Sequence, residues 1–269
     1  MAATVTHTIV SPHYDDAVFS CGGLLARIGP AARVVTVCGG LPPEGRAASD
    51  WDQRCGFATA RAAALERRAE DARALAGVGA QAVPLGWLDR PYAEAAPDAD
   101  ALAAALAPLL TGTEVVVPAA IGAHADHVLA RDAALRAARA VGAPVRLYAD
   151  VPYASAGDWT RPEELRDRRL RWRPALEEVA RAGFALAPPR PCRLAPEAAA
   201  AKIALARMYA SQLCGLGAHH PRLMHVRGEL ATEVYWRARE DAEAAAAPVP
   251  EEWLAIADRP GRKEHGGDH

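Results

Sequence analysis

Short apolar runs alternate with amphipathic stretches through the first half of the chain. Residues 8–11, 33–37, 81–85, 114–117 and 145–149 are β-branched or apolar runs of strand length. Between them, residues 16–28, 59–76, 98–110 and 126–140 carry apolar positions at helical spacing. Strands alternating with helices predict a mostly parallel sheet covered on both faces. A sheet of that kind binds its ligand at the carboxyl ends of its strands.

The pattern then changes. Residues 152–158 are turn-rich, and 162–183 are charged and helical. Pro188, Pro189, Pro191 and Pro196 punctuate a linker before a helix over 197–213, and a last strand is expected at 231–236. The fold class expected is α/β, a Rossmann-like, mostly parallel sheet with helices on both faces and a C-terminal helical extension. Residues 1–258 form one domain in this reading, with a core over 1–151 and a substrate-shaping part over 152–258. The polar, glycine-containing tail 259–269 is expected to be disordered. No internal repeat is visible, and Ala244 to Ala247 is the clearest low-complexity run.

Composition narrows the classes. With 51% hydrophobic residues, 269 residues can bury a sizeable core. A formal net charge of -2, with basic residues dispersed, gives no footprint for nucleic acid or a membrane surface. The five cysteines (Cys21, Cys38, Cys55, Cys192, Cys214) form no CxxC pair, which favours a reduced protein. The first residues lack a signal-peptide pattern, and no run of about 18 apolar residues suggests a membrane span. The expectation is a soluble cytoplasmic protein with a small-molecule ligand; self-association is compatible with it.

Two segments carry chemistry. The first strand runs into Ser11-Pro12-His13-Tyr14-Asp15-Asp16, and proline ends the pairing, so His13 lies in the loop. The plain alternative is that Asp15 or Asp16 only caps the following helix. Cys21-Gly22-Gly23 comes next; each helical glycine costs about 1 kcal/mol relative to alanine, so the pair needs a packing reason. Close approach of another element would supply it. Neither GxGxxG nor a phosphate-binding GxxxxGK[ST] is present. The second segment is His124-Ala125-Asp126-His127, directly after the fourth strand, where solvated loop histidines and a capping aspartate are the plain alternative. Together, two His/Asp clusters at strand ends can converge in one crevice. His13, Asp16 and His127 then offer two nitrogens and an oxygen, a set that suits catalytic zinc with an open position. Asp15 remains as a carboxylate suited to general-base work.

These residues resemble the PIG-L/LmbE family of zinc-dependent N-deacetylases, which includes N-acetylglucosaminyl-phosphatidylinositol and mycothiol-pathway deacetylases and antibiotic-tailoring enzymes. The resemblance extends through Arg67-Arg68-Ala69-Glu70, Leu88-Asp89, and Lys202 with Tyr209-Ala210-Ser211-Gln212, so it spans about residues 8–213. It implies Zn2+ on His13, Asp16 and His127, with Asp15 as general base. His124 is then the oxyanion donor, Asp126 orients a neighbouring histidine, and Arg67 and Asp89 bind substrate hydroxyls. The plain readings of the last two are an i,i+3 pair of Arg67 with Glu70 and a turn residue at Asp89. The reaction implied is removal of an N-acetyl (N-acyl) group from a small molecule, an acetamido sugar or an aminosugar-containing natural-product intermediate. Two alternatives stay open: an amidase for a larger acyl group or thiol conjugate, and a non-catalytic sugar- or nucleotide-binding α/β protein.

The chain departs from the family's H-P-D-D-E and H-P-D-H motifs at Tyr14, Ala17 and Ala125, none of them a ligand in this reading. Gly122 stands where some sugar deacetylases carry a tyrosine, leaving Tyr92, Tyr148 and Tyr153 as candidates for such a role. Trp51, Trp87 and Tyr92 can form an aromatic wall, although buried packing is the commoner fate of aromatics. His219 and His220 are expected in a surface loop.

Overall fold

The computed structural model describes residues 3–95, 98–155, 165–216, 220, 223–225, 228–241, 249 and 250; the expected tail and the alanine run lie outside them. The strands are β1 (His7–Ser11), β2 (Ala32–Thr36), β3 (Gln81–Pro84), β4 (Glu114–Pro118), β5 (Val145–Tyr148), β6 (Phe184–Leu186), β7 (Arg190–Arg193) and β8 (Thr232–Glu240). The helices are α1 (Asp16–Ile28), α2 (Asp50–Arg54), α3 (Ala60–Val78), α4 (Ala99–Leu110), α5 (Ala125–Val141), α6 (Leu165–Arg181), α7 (Pro196–Ala206) and α8 (Ala210–Leu216).

β1 and β4 are buried at every position after the first, so both faces are covered and the strands read as unbroken apolar runs. The path across the sheet is β3-β2-β1-β4-β5-β8-β6, with β7 also paired to β8. β1 to β5 are parallel to one another, whereas β8 runs antiparallel to β5. The chain leaves β1 for β2 on one side and later enters β4 on the other. The carboxyl ends of β1 and β4 therefore flank the crevice where the strand order reverses. Around the sheet, α1, α3 and α7 pack together, and α4 packs on α5.

The C-terminal part is helical as expected, through α6 to α8, and it also returns β6, β7 and β8 to the sheet. Here two expectations are corrected. The proline-punctuated segment is not simply a linker, because β7 pairs antiparallel with the first half of β8. Pro191 is tolerated because β7 is a peripheral strand, exposed at all four positions. The helix expected over 197–213 is two helices, broken before Ala210, where the buried Tyr209 hydroxyl donates to Asp71 on α3 (2.8 Å).

The Gly22-Gly23 pair has its packing reason. A Cβ on Gly22 would lie 2.7 Å from Lys202 Cγ, and one on Gly23 would lie 2.6 Å from Leu194 Cδ2. α1 is kinked at Cys21 (φ -125°, ψ 16°). Beyond the kink, the Gly23 and Leu24 N–H groups donate to Glu233 on β8 at 2.7 and 3.2 Å. Lys202 Nζ donates to the same carboxylate at 2.8 Å, in an ion pair with essentially no solvent exposure. A side chain inserted into the helical hydrogen-bond ladder accounts for the kink.

Candidate metal and catalytic site

β1 ends in a tight turn that aims three side chains at the crevice. Ser11 Oγ donates to the His13 carbonyl (2.5 Å) and accepts the Ala17 N–H (2.9 Å). The His13 N–H donates to Asp16 Oδ2 (2.8 Å). Asp15 occupies the N-cap position of α1, yet its side chain makes no capping hydrogen bond. The capping alternative therefore does not account for this carboxylate, which lines the cleft instead.

On the opposite wall, the loop after β4 takes Ala120, Gly122 and Ala123 through the left-handed region (φ 59°, 90° and 56°). For the two alanines this stores about 1–3 kcal/mol each, a strain common at functional sites. The loop ends on His124, the N-cap of α5, whose Nδ1 accepts the Asp126 N–H at 3.3 Å. That leaves Nε2 of His124 as the protonated, donating nitrogen if the ring is neutral. Burial, followed by the neighbouring His13 and His127 rings, lowers the His124 pKa and favours that neutral form.

The two walls meet at Asp16. Its Oδ2 lies 3.2 Å from His13 Nδ1 and 3.3 Å from His127 Nε2. The ligand atoms of His13, Asp16 and His127 all lie within 4.8 Å of one another. His127 Nδ1 is 2.8 Å from Asp150 Oδ1, and the other Asp150 oxygen accepts the Ile121 N–H at 3.0 Å. His127 Nε2 is buried and has no hydrogen-bond partner. A buried imidazole nitrogen fixed by a carboxylate at its other end, and aimed at a second imidazole and a carboxylate, fits a metal ligand. Burial opposes ionisation of Asp16, but His127 and His13 hold its pKa well below the ordinary carboxylate range. Burial and then the Asp16 charge push Asp15 up to about 7, against the pull of His13 and Arg67.

Asp126 reaches His13 rather than His127: its Oδ2 is 3.2 Å from His13 Nε2 and also accepts the Arg90 N–H (3.1 Å). Asp89 Oδ1 lies 3.5 Å from the same nitrogen. Arg67, on α3, pairs with Asp89 at 3.8 Å and more closely with the buried Asp52, which also accepts the Tyr92 hydroxyl. The i,i+3 pair of Arg67 with Glu70 is not formed. Glu70 instead accepts the Ser211 N–H (2.9 Å) and hydroxyl (2.5 Å). The structure thus gathers His13, Asp15, Asp16, Arg67, Asp89 and His124 around one cleft of about 270 Å³, with Asp126 and His127 buried behind it.

The sequence profile of the PIG-L family, described as GlcNAc-PI de-N-acetylase, matches residues 8–138. Over 88% of this chain and 98% of the other, the fold follows the A40926 pseudoaglycone deacetylase at 30% identity (TM-score 0.63). This chain belongs to the PIG-L family. The zinc-inhibited form of teicoplanin deacetylase is also similar, at 26% identity over 89% of this chain and all of that one (TM-score 0.69). In sequence, the chain is 38% identical over 168 residues to 2'-N-acetylparomamine deacetylase of Streptomyces fradiae. That match spans 56% of this chain and 58% of the relative, less than two thirds of its length.

Some residues of this PIG-L site were not singled out by the sequence reading. Asp150 follows β5, the strand next to β4, and an acid just past a strand end was the available signal. Asp52 lies on the five-residue α2 and meets Arg67 only through the fold. Among the candidate tyrosines, Tyr148 is fully buried and donates to the Val10 carbonyl (3.0 Å), and Tyr92 is committed to Asp52. Tyr153 lines the cleft, its ring centroid 5.2 Å from His127 and 6.1 Å from His124. It packs against Gly122, where an added Cβ would lie 3.0 Å from Tyr153 Cβ. Of the aromatic wall, Trp51 and Tyr92 line the cleft, whereas Trp87 packs partly buried against the core. His220 bonds Glu229 at 3.1 Å, while His219 falls outside the described residues. Among the described residues, no helix is long and apolar enough to cross a membrane.

Proposed function

We propose that this PIG-L protein is a zinc-dependent N-deacetylase that hydrolyses the acetamido group of a small molecule containing an aminosugar. The observation that carries the metal is the buried, unpartnered Nε2 of His127, facing the Asp16 carboxylate with His13 beside it. His13, Asp16 and His127 would hold the zinc. When bound there, it supplies a Lewis acid and lowers the pKa of a water towards about 7. The aminosugar class is supported by the names of the relatives, deacetylases of 2'-N-acetylparomamine, of teicoplanin and of A40926 pseudoaglycone.

The chain's own groups have distinct tasks. Asp15 accepts the proton of the attacking water, a role suited to a carboxyl that lines the cleft beside the ligand set and makes no capping hydrogen bond. His124, neutral and holding its proton on Nε2, donates to the amide oxygen as negative charge develops; one such donor is worth about 3–4 kcal/mol. Asp126 keeps the His13 ring oriented through Nε2, and Asp150 does the same for His127 through Nδ1. Arg67, braced by Asp52, and Asp89 offer a donor and an acceptor to substrate hydroxyls.

Two neighbouring substitutions test this reading. Asp16→Ala should lose both zinc and activity. Asp15→Ala should keep zinc and lose about 10²–10⁴ in kcat, the usual contribution of general acid–base catalysis. Metal content is measured by elemental analysis, and turnover by mass-spectrometric loss of acetyl from a panel of N-acetylated aminosugars and longer N-acyl analogues. Exchange of the two phenotypes would exchange the roles. Unaltered hydrolysis in both variants would remove the metal-centred mechanism, and turnover of the longer acyl amides alone would make the protein an amidase of another class.

A further inference from the structure

Beside the ligand set lies a second group of metal-ligating side chains that the reaction above does not use in that capacity. His13, Cys38 and Asp126 also bring their ligand atoms within 4.8 Å of one another. The two groups share only His13, and they meet opposite edges of its ring. Nδ1 is 3.2 Å from Asp16, whereas Nε2 is 3.2 Å from Asp126 and 3.5 Å from Asp89. Cys38 lies two residues beyond β2, is 93% buried, and is fixed by its N–H to the Pro12 carbonyl (2.9 Å). Each donor thus lies beyond the end of a different strand: His13 after β1, Cys38 after β2, Asp89 after β3 and Asp126, in the first turn of α5, after β4.

We propose that Cys38, Asp126 and His13 Nε2, with Asp89 as fourth donor, form a second site for a thiophilic divalent cation such as zinc or cadmium. Its occupation suppresses turnover. One sulfur, one nitrogen and two carboxylate oxygens are a four-donor set suited to zinc and poorly suited to magnesium or calcium, which take oxygen donors. Three potential anions face one imidazole there, so a dication is better compensated in that space than the imidazole's proton. Binding releases the Cys38 thiol proton and the Nε2 proton of His13 to solvent, and no electron is transferred. Both sets draw on the same ring, so filling the second weakens the hold of the first. The ion also covers Asp89 at the cleft and takes Asp126 away from orienting His13. The effect on turnover rests on the function proposed above; the binding itself does not.

The test titrates the metal-free full chain with Co2+. The set of His13, Asp16 and His127 contains no sulfur, so its occupation produces visible ligand-field absorption alone. The second site adds a thiolate-to-cobalt charge-transfer band in the near ultraviolet. The expected result is a visible band with the first equivalent and a charge-transfer band with the second, the latter lost in Cys38→Ser and in Cys38→Ala. Loss in the variants separates Cys38 from the exposed Cys192 and Cys214 thiols. With zinc, the second equivalent should lower turnover of the unmodified chain about tenfold, and Cys38→Ser should need at least about ten times more zinc for the same loss. X-ray absorption of the unmodified chain carrying two equivalents of zinc should show sulfur among the ligands, a readout that needs no variant to fold. A charge-transfer band absent at every ratio, or one that persists in the folded Cys38 variants, overturns the second site and leaves the first reading standing. A missing visible band overturns the first reading instead.

Discussion

Replacing Asp150 with asparagine perturbs the proposed zinc centre without touching a ligand. In the native chain one Asp150 oxygen takes the His127 Nδ1–H at 2.8 Å and the other takes the Ile121 N–H at 3.0 Å. Both side chains of the His127–Asp150 pair are 1% exposed, so water cannot replace either bond. An asparagine has one acceptor oxygen and one donor nitrogen. It can serve His127 or Ile121, and the other buried N–H then faces a donor. One such unsatisfied buried group costs about 1–3 kcal/mol, a factor of about 5–150. That range brackets the 10–100-fold loss of metal affinity usual when the partner of a ligating histidine is removed. Asp150→Asn should therefore weaken zinc binding about 10–100-fold, measured by competition with a chromophoric chelator. Turnover should return to within about tenfold of the native value at saturating zinc. Asp16→Ala, which lacks a ligand, should show no such rescue. A folded Asp150→Asn protein that binds zinc as tightly as the native chain would refute the argument that Asp150 holds His127 in its ligating orientation.

Two further outcomes concern the framework. Lys202→Met leaves Glu233 charged and buried against Gly23, Leu24 and Tyr235, and should cost about 3–5 kcal/mol. At about 2–4 °C per kcal/mol, calorimetry should find Tm lowered by about 6–20 °C, and a shift under about 2 °C would mean the pair contributes little. Burial, opposed by the Tyr209 hydrogen bond and reinforced by the Asp15 charge, raises Asp71 to about 7, with Tyr14 also nearby. The folded chain holds this proton up to about pH 7, whereas an unfolded aspartate releases it near pH 4, so stability from this group falls as pH rises across that interval. Asp71→Asn should raise Tm at pH 8 by the equivalent of at most about 4 kcal/mol and change it little at pH 4; an equal shift at both pH values would rule out titration as the cause.

The legible part of the fold and site has a common physical basis. β1 and β4 are central strands with both faces covered, so they appear as apolar runs, and a proline or an alanine-glycine turn marks where each stops. A His/Asp cluster next to such a stop is placed by the strand itself, which is why His13, Asp15, Asp16, His124, Asp126 and His127 could be gathered from local sequence. β7 gave no signal because a four-residue peripheral strand exposed throughout has no apolar face to alternate. Arg67 was found through its motif, but its partner was not. The i,i+3 neighbour Glu70 looked sufficient, and only the fold brings Asp52 to Arg67 and Ser211 to Glu70. Asp150 was missed for a related reason, since its purpose is visible only once His127 turns Nδ1 towards it.

Those long-range partners give the later sequence signals a different meaning from the one local reading supplies. Lys202, Tyr209 and Ser211 touch no atom of the proposed reaction, yet each supports, directly or through one partner, a helix that carries one. Lys202 joins Glu233 at the kink of α1, and that helix begins with Asp16, directly after Asp15. Tyr209 and Ser211 hold Asp71 and Glu70 on α3, one turn beyond Arg67. Gly22 and Gly23 are small because Lys202, Leu194 and Glu233 fill the space where their side chains would be. A site whose ligands must hold within about half an ångström needs that support from outside its own loops. In the proposed reaction the C-terminal segments would act through the placement of α1 and α3, which accounts for motifs that lie far from the proposed chemistry.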